Sequence, residues 1–202
     1  MRVTVVQDIP SDRIDAFYGF YRAAFAPLQT RAAARHVLTR DEFNEEMRDP
    51  RIDKYVAWDG DTAVGLTTMT NDLASVLWIE PAFYVARHPD HAARRTLFYL
   101  GYILVDPSPG VSTFRAFRLM AETLLQRVAD AGGVLAFDVS RYNDDGEVGP
   151  MIARLLRGFG TQAEAVDVQT YYTAVLGAAS DGVPTQRSAP LSKDVHADRH
   201  SR

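Results

Sequence analysis

Apolar positions recur at two different periods along this chain, and each switch of period marks an element boundary. From Leu97 to Val105 nearly every residue is apolar, with aromatic and branched side chains prominent. That pattern predicts a buried strand. Asp106-Pro107-Ser108-Pro109-Gly110 then continues neither a strand nor a helix. From Ser112 or Thr113 to about Ala131 the period becomes helical. Phe114, Phe117, Met120, Ala121, Leu124, Leu125 and Val128 fall three and four apart and make one apolar face. Gly132-Gly133 stops the helix, and Val134 to Val139 is apolar again. Strand, tight loop, helix and strand in direct succession predict a βαβ unit with two parallel strands. A helix N-terminus directly after a strand turns backbone N–H groups toward any anion placed there.

The preceding half of the chain reads as β, α, α and a hairpin. Val3 to Gln7 predict a first strand, and Ser11 is placed to cap a helix with Asp12 in its first turn. Ile14, Phe17, Tyr18, Tyr21, Phe25 and Leu28 form its stripe. Thr39-Arg40-Asp41-Glu42 is a capping box for a second helix over Asp41 to about Asp49. Lys54 to Ala57 and Thr62 to Met69 predict a hairpin turning at Asp59-Gly60. Thr70 to Arg95 is an aromatic and basic connector, with Glu80-Pro81 opening a short helix through Arg87. After the βαβ unit comes a polar loop, then a helix opened by Pro150 and closed by Gly158-Phe159-Gly160. Ala163 to Val168 and Thr170 to Leu176 are expected as two last strands. Residues 178–202 are poor in apolar side chains and are expected as a disordered tail behind one domain over 1–177.

Composition narrows the function classes. The 202 residues hold no cysteine, which removes disulfides, thiolate metal sites and cysteine nucleophiles. A net charge of −4 gives no electrostatic reason to expect nucleic acid. No apolar run reaches the length of a membrane span, and MRVTVVQDIP reads as a strand and not a signal peptide, so a cytoplasmic location is expected. His88 and His91 lie three apart with no acidic helper, a poor metal site, and no metal is expected. No Ser/His/Asp order or nucleophile elbow is present.

The whole order of elements resembles the GNAT superfamily, the acyl-CoA-dependent N-acyltransferases. The residues that carry the likeness are Val105-x-Pro107 at the end of the fourth strand, the helix after it, Gly158-Phe159, and Asp59-Gly60 with Val64-Gly65-Leu66. The likeness covers roughly residues 3–176. It implies an α/β (α+β) fold with a mixed, twisted sheet of about seven strands flanked by helices on both faces. It implies acetyl-CoA or another acyl-CoA as co-substrate, a small-molecule or peptide amine as acceptor, and a possible homodimer. In the family an Arg/Gln-x-x-Gly-x-Gly/Ala loop after the fourth strand binds the pyrophosphate of coenzyme A. Gly110, Val111, Ser112, Thr113 and Phe114 occupy that place, with Gly110 the sole glycine. The hydroxyls of Ser112 and Thr113 are open to two readings, phosphate contact or helix capping.

The same likeness implies that acyl-pantetheine enters between the fourth and fifth strands. Its edges here are Leu104, Val105 and Asp106 on one side and Phe137 to Ser140 on the other. Asn143, counted from Val139, or Glu147, counted from Gly158-Phe159, takes the place of the family's Asn after the fifth strand. The family's proton-donating Tyr falls on Arg154, and Tyr142 is the substitute by location. Asp106 and Glu80 are the candidate bases, each with an ordinary alternative as a turn or capping carboxylate. A catalytically silent GNAT-shaped binding or regulatory module is the reading of another class, with Trp78, Phe83 and Tyr84 exposed for a partner.

Overall fold

The structure is a computed structural model that describes residues 1–33, 37–108, 110–146 and 148–175. The chain divides into Met1–Asp167 and a second unit, Val168–Arg202. Described residues of the second unit, Val168 to Val175, carry no helix or strand. The expected tail over 178–202 lies outside the described residues.

Five strands make one sheet in the order β1 (Arg2–Val6), β2 (Ile52–Asp59), β3 (Thr62–Thr70), β4 (Leu97–Val105) and β5 (Val134–Ala136). The first four pair antiparallel, and β4 pairs β5 in parallel. Helices cover both faces, because β2 to β4 carry apolar side chains on both sides of the pleat. On one face, α1 (Ser11–Phe25) and α2 (Arg40–Arg48) bury Ile14, Phe17, Tyr21, Phe43 and Met47 against Val56, Leu66, Tyr102 and Leu104. On the other, α5 (Thr113–Asp130) buries Leu124 and Val128 against Tyr55, Met69 and Phe98, and Ala116 and Met120 against Ala57 and Val64. Two short helices, α3 (Pro81–Arg87) and α4 (Pro89–Ala93), fill the connector, and α6 (Arg141–Asp144) and α7 (Val148–Gly158) follow β5.

The capping box of α2 is complete in both directions. The Thr39 hydroxyl accepts from Glu42 N, and Glu42 Oε2 accepts from Thr39 N at 2.7 Å. The cap expected of Ser11 is absent. Pro10 takes the N-cap position without a side-chain bond, and the Ser11 hydroxyl accepts from Arg48 at 3.3 Å instead. The apolar face of α5 is also shifted from its expected line. Ala116 is wholly buried and Phe114 is 59% exposed, because Phe114 sits in the first turn, at the edge of the sheet.

The sheet has five strands among the described residues, and not about seven. Residues 163–175 carry no helix or strand and are mostly exposed. Period alone does not make a strand where no neighbour supplies ladder bonds. The fifth strand is likewise shorter than expected, ending at Ala136 and not at Val139. Trp78, Phe83 and Tyr84 are half-buried and not exposed, since Tyr84 and Trp78 pack edge-on to Tyr99 at 5.8 and 6.4 Å between centroids.

Candidate active site

Parallel pairing between β4 and β5 lasts three residues, Leu97 to Val134, Phe98 to Leu135 and Tyr99 to Ala136. Beyond Tyr99, β4 runs on to Val105, while the chain after Ala136 is no longer paired with it. The two segments therefore bound a wedge with an unpaired strand edge along one side. A bulge marks its start. Thr67 pairs with Ile103 and Met69 with Leu100, so β4 carries one residue more than β3 across this stretch. Gly101 lies in the bulge, where a Cβ would come within 2.3 Å of Thr68 Oγ1. Thr67 Oγ1 donates to Tyr102 O at 2.6 Å and fixes the other side of the distortion.

The loop at the end of β4 leads into the N-terminus of α5. Asp106 N still donates to Val64 O at 2.9 Å, and the Asp106 carboxylate accepts from Ser108 N at 2.9 Å in an Asx turn. Gly110 has φ +92°, a backbone angle that favours glycine, and nothing lies within 4 Å of where its Cβ would be. Val111 turns inward and packs with Val64, Ala116 and Met120. Ser112 is the N-cap of α5 and makes no side-chain cap bond. Leu104 is wholly buried in the α1–α2 core, so only its backbone faces the wedge region, and Val105 is half-buried on the α5 side.

The remaining sequence candidates lie on other elements. Tyr142 is half-exposed on α6, and its hydroxyl accepts from an Arg31 guanidinium nitrogen at 2.7 Å. The guanidinium also lies over the Tyr142 ring, 5.0 Å from its centroid. Asn143 is half-buried in the same turn, with its backbone N bonded to Ser140, and Glu147 lies outside the described residues. Glu80 is exposed and caps α3, accepting from Ala82 N at 3.1 Å. His88 and His91 stand 6.3 Å apart, and among the described residues no third ligand completes a metal site.

Sequence reasoning did not single out the carboxylate that the fold puts at the apex of the wedge. Asp138, two residues past the last paired residue of β5, accepts from the Tyr99 hydroxyl at 2.7 Å and from Trp78 Nε1 at 3.0 Å. Tyr99 is wholly buried, and burial, with Asp138 beside it, raises its phenol well above the ordinary tyrosine range. Burial likewise raises Tyr84, whose ring packs edge-on to Tyr99. Asp138 itself remains exposed. The available signal was a lone acid inside the apolar stretch Val134 to Val139, which breaks the pattern of a core strand.

On the α1–α2 face, a cavity of about 140 Å3 lies between α2 and the connector. Its floor includes Thr68 and Gly101, and its far wall includes Trp78 and Tyr99, the two donors to Asp138. The bulge is therefore shared between the wedge and this cavity.

No family model matches the sequence, and no curated protein matches it. Solved structures do match its fold. A structure described as a probable acetyltransferase superposes with a TM-score of 0.51 at 11% identity, over 88% of this chain and 99% of that one. An N-acetyltransferase from Staphylococcus aureus Mu50 gives 0.49 at 15% identity, over 79% of this chain and 83% of that one. The chain has the GNAT fold. At these identities the likeness is one of architecture. As a GNAT fold it keeps the wedge between β4 and β5 and an open loop before α5.

Proposed function

We propose that this protein is an acyl-CoA-dependent N-acyltransferase, with acetyl-CoA the first donor to test and an amine of a small molecule or peptide as acceptor. The observation that carries the reading is the wedge. β4 and β5 part after three residue pairs, and the loop at the open end of β4 meets the N-terminus of α5 with Gly110 unobstructed. In this reading Gly110 to Phe114 hold the pyrophosphate through backbone N–H groups, with the Ser112 and Thr113 hydroxyls as added donors. The backbone of Leu104 to Asp106, with Asn143 opposite, holds the pantetheine arm and the thioester carbonyl.

The chemistry is direct transfer. The acceptor nitrogen forms a C–N bond to the acyl carbon, the C–S bond breaks, and the sulfur leaves as a thiolate. Tyr142 is the proposed donor of a proton to that thiolate, and the Arg31 guanidinium holds the phenol in place. The amine must lose a proton, and Asp138 is the proposed acceptor, with Glu80 and Asp106 as the other carboxylates to compare. Both of those are already engaged by backbone N–H groups. Most of the rate would come from holding two reactants together in one cleft.

A thermal-shift titration with acetyl-CoA and free CoA tests the binding half. Ligand at 100 times its dissociation constant adds about 2.7 kcal/mol, which for a chain of this size raises the midpoint by about 5–10 °C. Gly110→Pro should abolish the shift while the unliganded midpoint shows that the variant is folded. An amine screen by thiol release then follows, in which Tyr142→Phe and Asp138→Asn each lower kcat by about 100-fold. No shift at millimolar ligand rejects the reading. A shift with no turnover on any amine supports the silent binding module instead.

A further inference from the structure

The second unit carries a short stretch whose sequence is nearly symmetric. Val168-Gln169-Thr170-Tyr171-Tyr172-Thr173-Ala174-Val175 reads almost the same in both directions, with Val, Thr and Tyr at mirror positions about its centre. Six of its eight residues are β-branched or aromatic, and none is glycine or proline. Such a run favours extended backbone. None of the eight is charged. Asp167 stands just before them, and Asp181 is the next charged residue after them. Charged side chains are what usually keep an exposed β-prone run from pairing with another chain, and this run has none.

A β-prone run alone would be an ordinary strand of the sheet, and the structure does not use it as one. Residues 168–175 carry no helix or strand. Tyr172 is 89% exposed and Val175 98%, and Val168 and Tyr171 are exposed as well. Apolar surface is thus left in water at even and odd positions alike. A contiguous exposed apolar run marks an interaction site, and the mirror order selects the partner. Laid antiparallel on a second copy of itself, with the two-fold axis between Tyr171 and Tyr172, the stretch sets Val168 opposite Val175, Thr170 opposite Thr173 and Tyr171 opposite Tyr172. Each is a like-with-like pair, and each occurs twice by symmetry. An antiparallel shift of two residues sets Val168 against Thr173 and Thr170 against Tyr171, and every match is lost. Parallel pairing needs no mirror order in the sequence.

We infer that Val168 to Val175 is a self-association strand, through which two copies of this chain pair antiparallel in solution. The ladder gives each copy backbone partners along one edge of the stretch. The Tyr–Tyr, Thr–Thr and Val–Val pairs cover apolar area on both sides of the ribbon. A two-stranded ribbon on its own is marginal in water, and eight residues from each copy make a small interface. The dimer is therefore weak and concentration-dependent, with a dissociation constant between about 1 μM and 1 mM. The inference is independent of the acyltransferase reading, since it uses no residue of the wedge or of the loop before α5.

Sedimentation velocity of the full chain reads the mass, and the absence of cysteine lets engineered cross-links read the register. The wild type should pass from monomer to dimer as its concentration rises toward about 1 mM. Tyr171→Lys combined with Tyr172→Lys sets like charges opposite one another and should weaken the dimer at least tenfold at an unchanged melting midpoint. Tyr171→Glu combined with Tyr172→Glu should do the same. An equimolar mixture of the two double variants should dimerise again, because lysine then faces glutamate. Residues directly opposite in an antiparallel ladder stand about 4.5–5.5 Å apart at Cα, within disulfide reach. Thr170→Cys mixed with Thr173→Cys should therefore cross-link on oxidation at least tenfold faster than either variant alone. A wild type that stays monomeric at every concentration overturns the inference. So does a mixture of the charge variants that stays monomeric, or a Thr170→Cys chain that links best to another copy of itself, the mark of parallel pairing.

Discussion

Gly101 is the residue on which the site geometry turns. Its missing Cβ is what allows Thr68 Oγ1 to stand 2.3 Å from that position. Gly101→Ala should therefore destabilise the fold by about 1–3 kcal/mol, the usual range for overpacking a filled core. The double variant Gly101→Ala, Thr68→Ala should recover most of that loss, because it removes the clashing oxygen. Urea unfolding of the two variants checks this, and equal midpoints for wild type and the single variant would refute it. Lys54 supplies a second residue-level prediction. Burial lowers its pKa to about 8 from 10.5. Between those values the unfolded chain holds more protons on this amine than the folded chain does. Stability from this group therefore rises with pH across that window. Above pH 10 the trend reverses, since Tyr55, raised by burial to about 12, and Tyr99, also raised, keep their protons in the folded state only. Denaturant midpoints at pH 7.5, 8.5 and 9.5 should climb in the wild type and stay flatter in Lys54→Met. That variant should also lose about 1–3 kcal/mol at neutral pH from two carbonyls left without a donor.

At the level of elements, what could be read in advance was whatever a local rule controls. The α2 cap, the Asp59-Gly60 hairpin, the Pro81 helix start and the Gly132-Gly133 stop each depend on a few adjacent residues, and each is present in the structure. What could not be read depends on pairing across the sheet. The length of β5 is decided by where β4 stops facing it, and the bulge at Gly101 by the register against Thr67 and Met69. No periodicity within Leu97 to Val105 shows that one residue is extra. The Asp138 site is hidden for the same reason, since its donors come from the connector and from β4, 60 and 39 residues away. Of the candidate residues that sequence reasoning did name, Asp106, Ser112 and Thr113 lie at the end of β4 and the start of α5, because loops and helix starts carry visible signals. The α2 cap can be tested directly. Thr39→Ala should cost about 1 kcal/mol, the typical loss for an N-cap. Urea unfolding measures it, and an unchanged midpoint would mean that the cap adds nothing to stability.

For the whole molecule, the sheet separates two jobs. The α5 face and the loop before it meet the proposed acyl donor, while the α1–α2 face holds the cavity, and β3 and β4 contribute to both. Self-association uses neither face, since Val168 to Val175 carries no strand of this sheet. Each copy has a net charge of −4, so two copies repel at long range, while the pairing stretch itself has no charged residue. Added salt therefore screens a repulsion and removes no attraction within the ribbon. The Debye length shrinks from ~30 Å at 0.01 M to ~10 Å at 0.1 M salt. Dimer affinity in the wild type should therefore rise about twofold across that range and change little from there to 0.5 M. In the mixture of the lysine and glutamate double variants the sign should reverse, because opposite charges then hold the pair together. A wild-type dimer that weakens as salt is added would mean that ion pairs hold the two copies, and the uncharged stretch could not be what joins them.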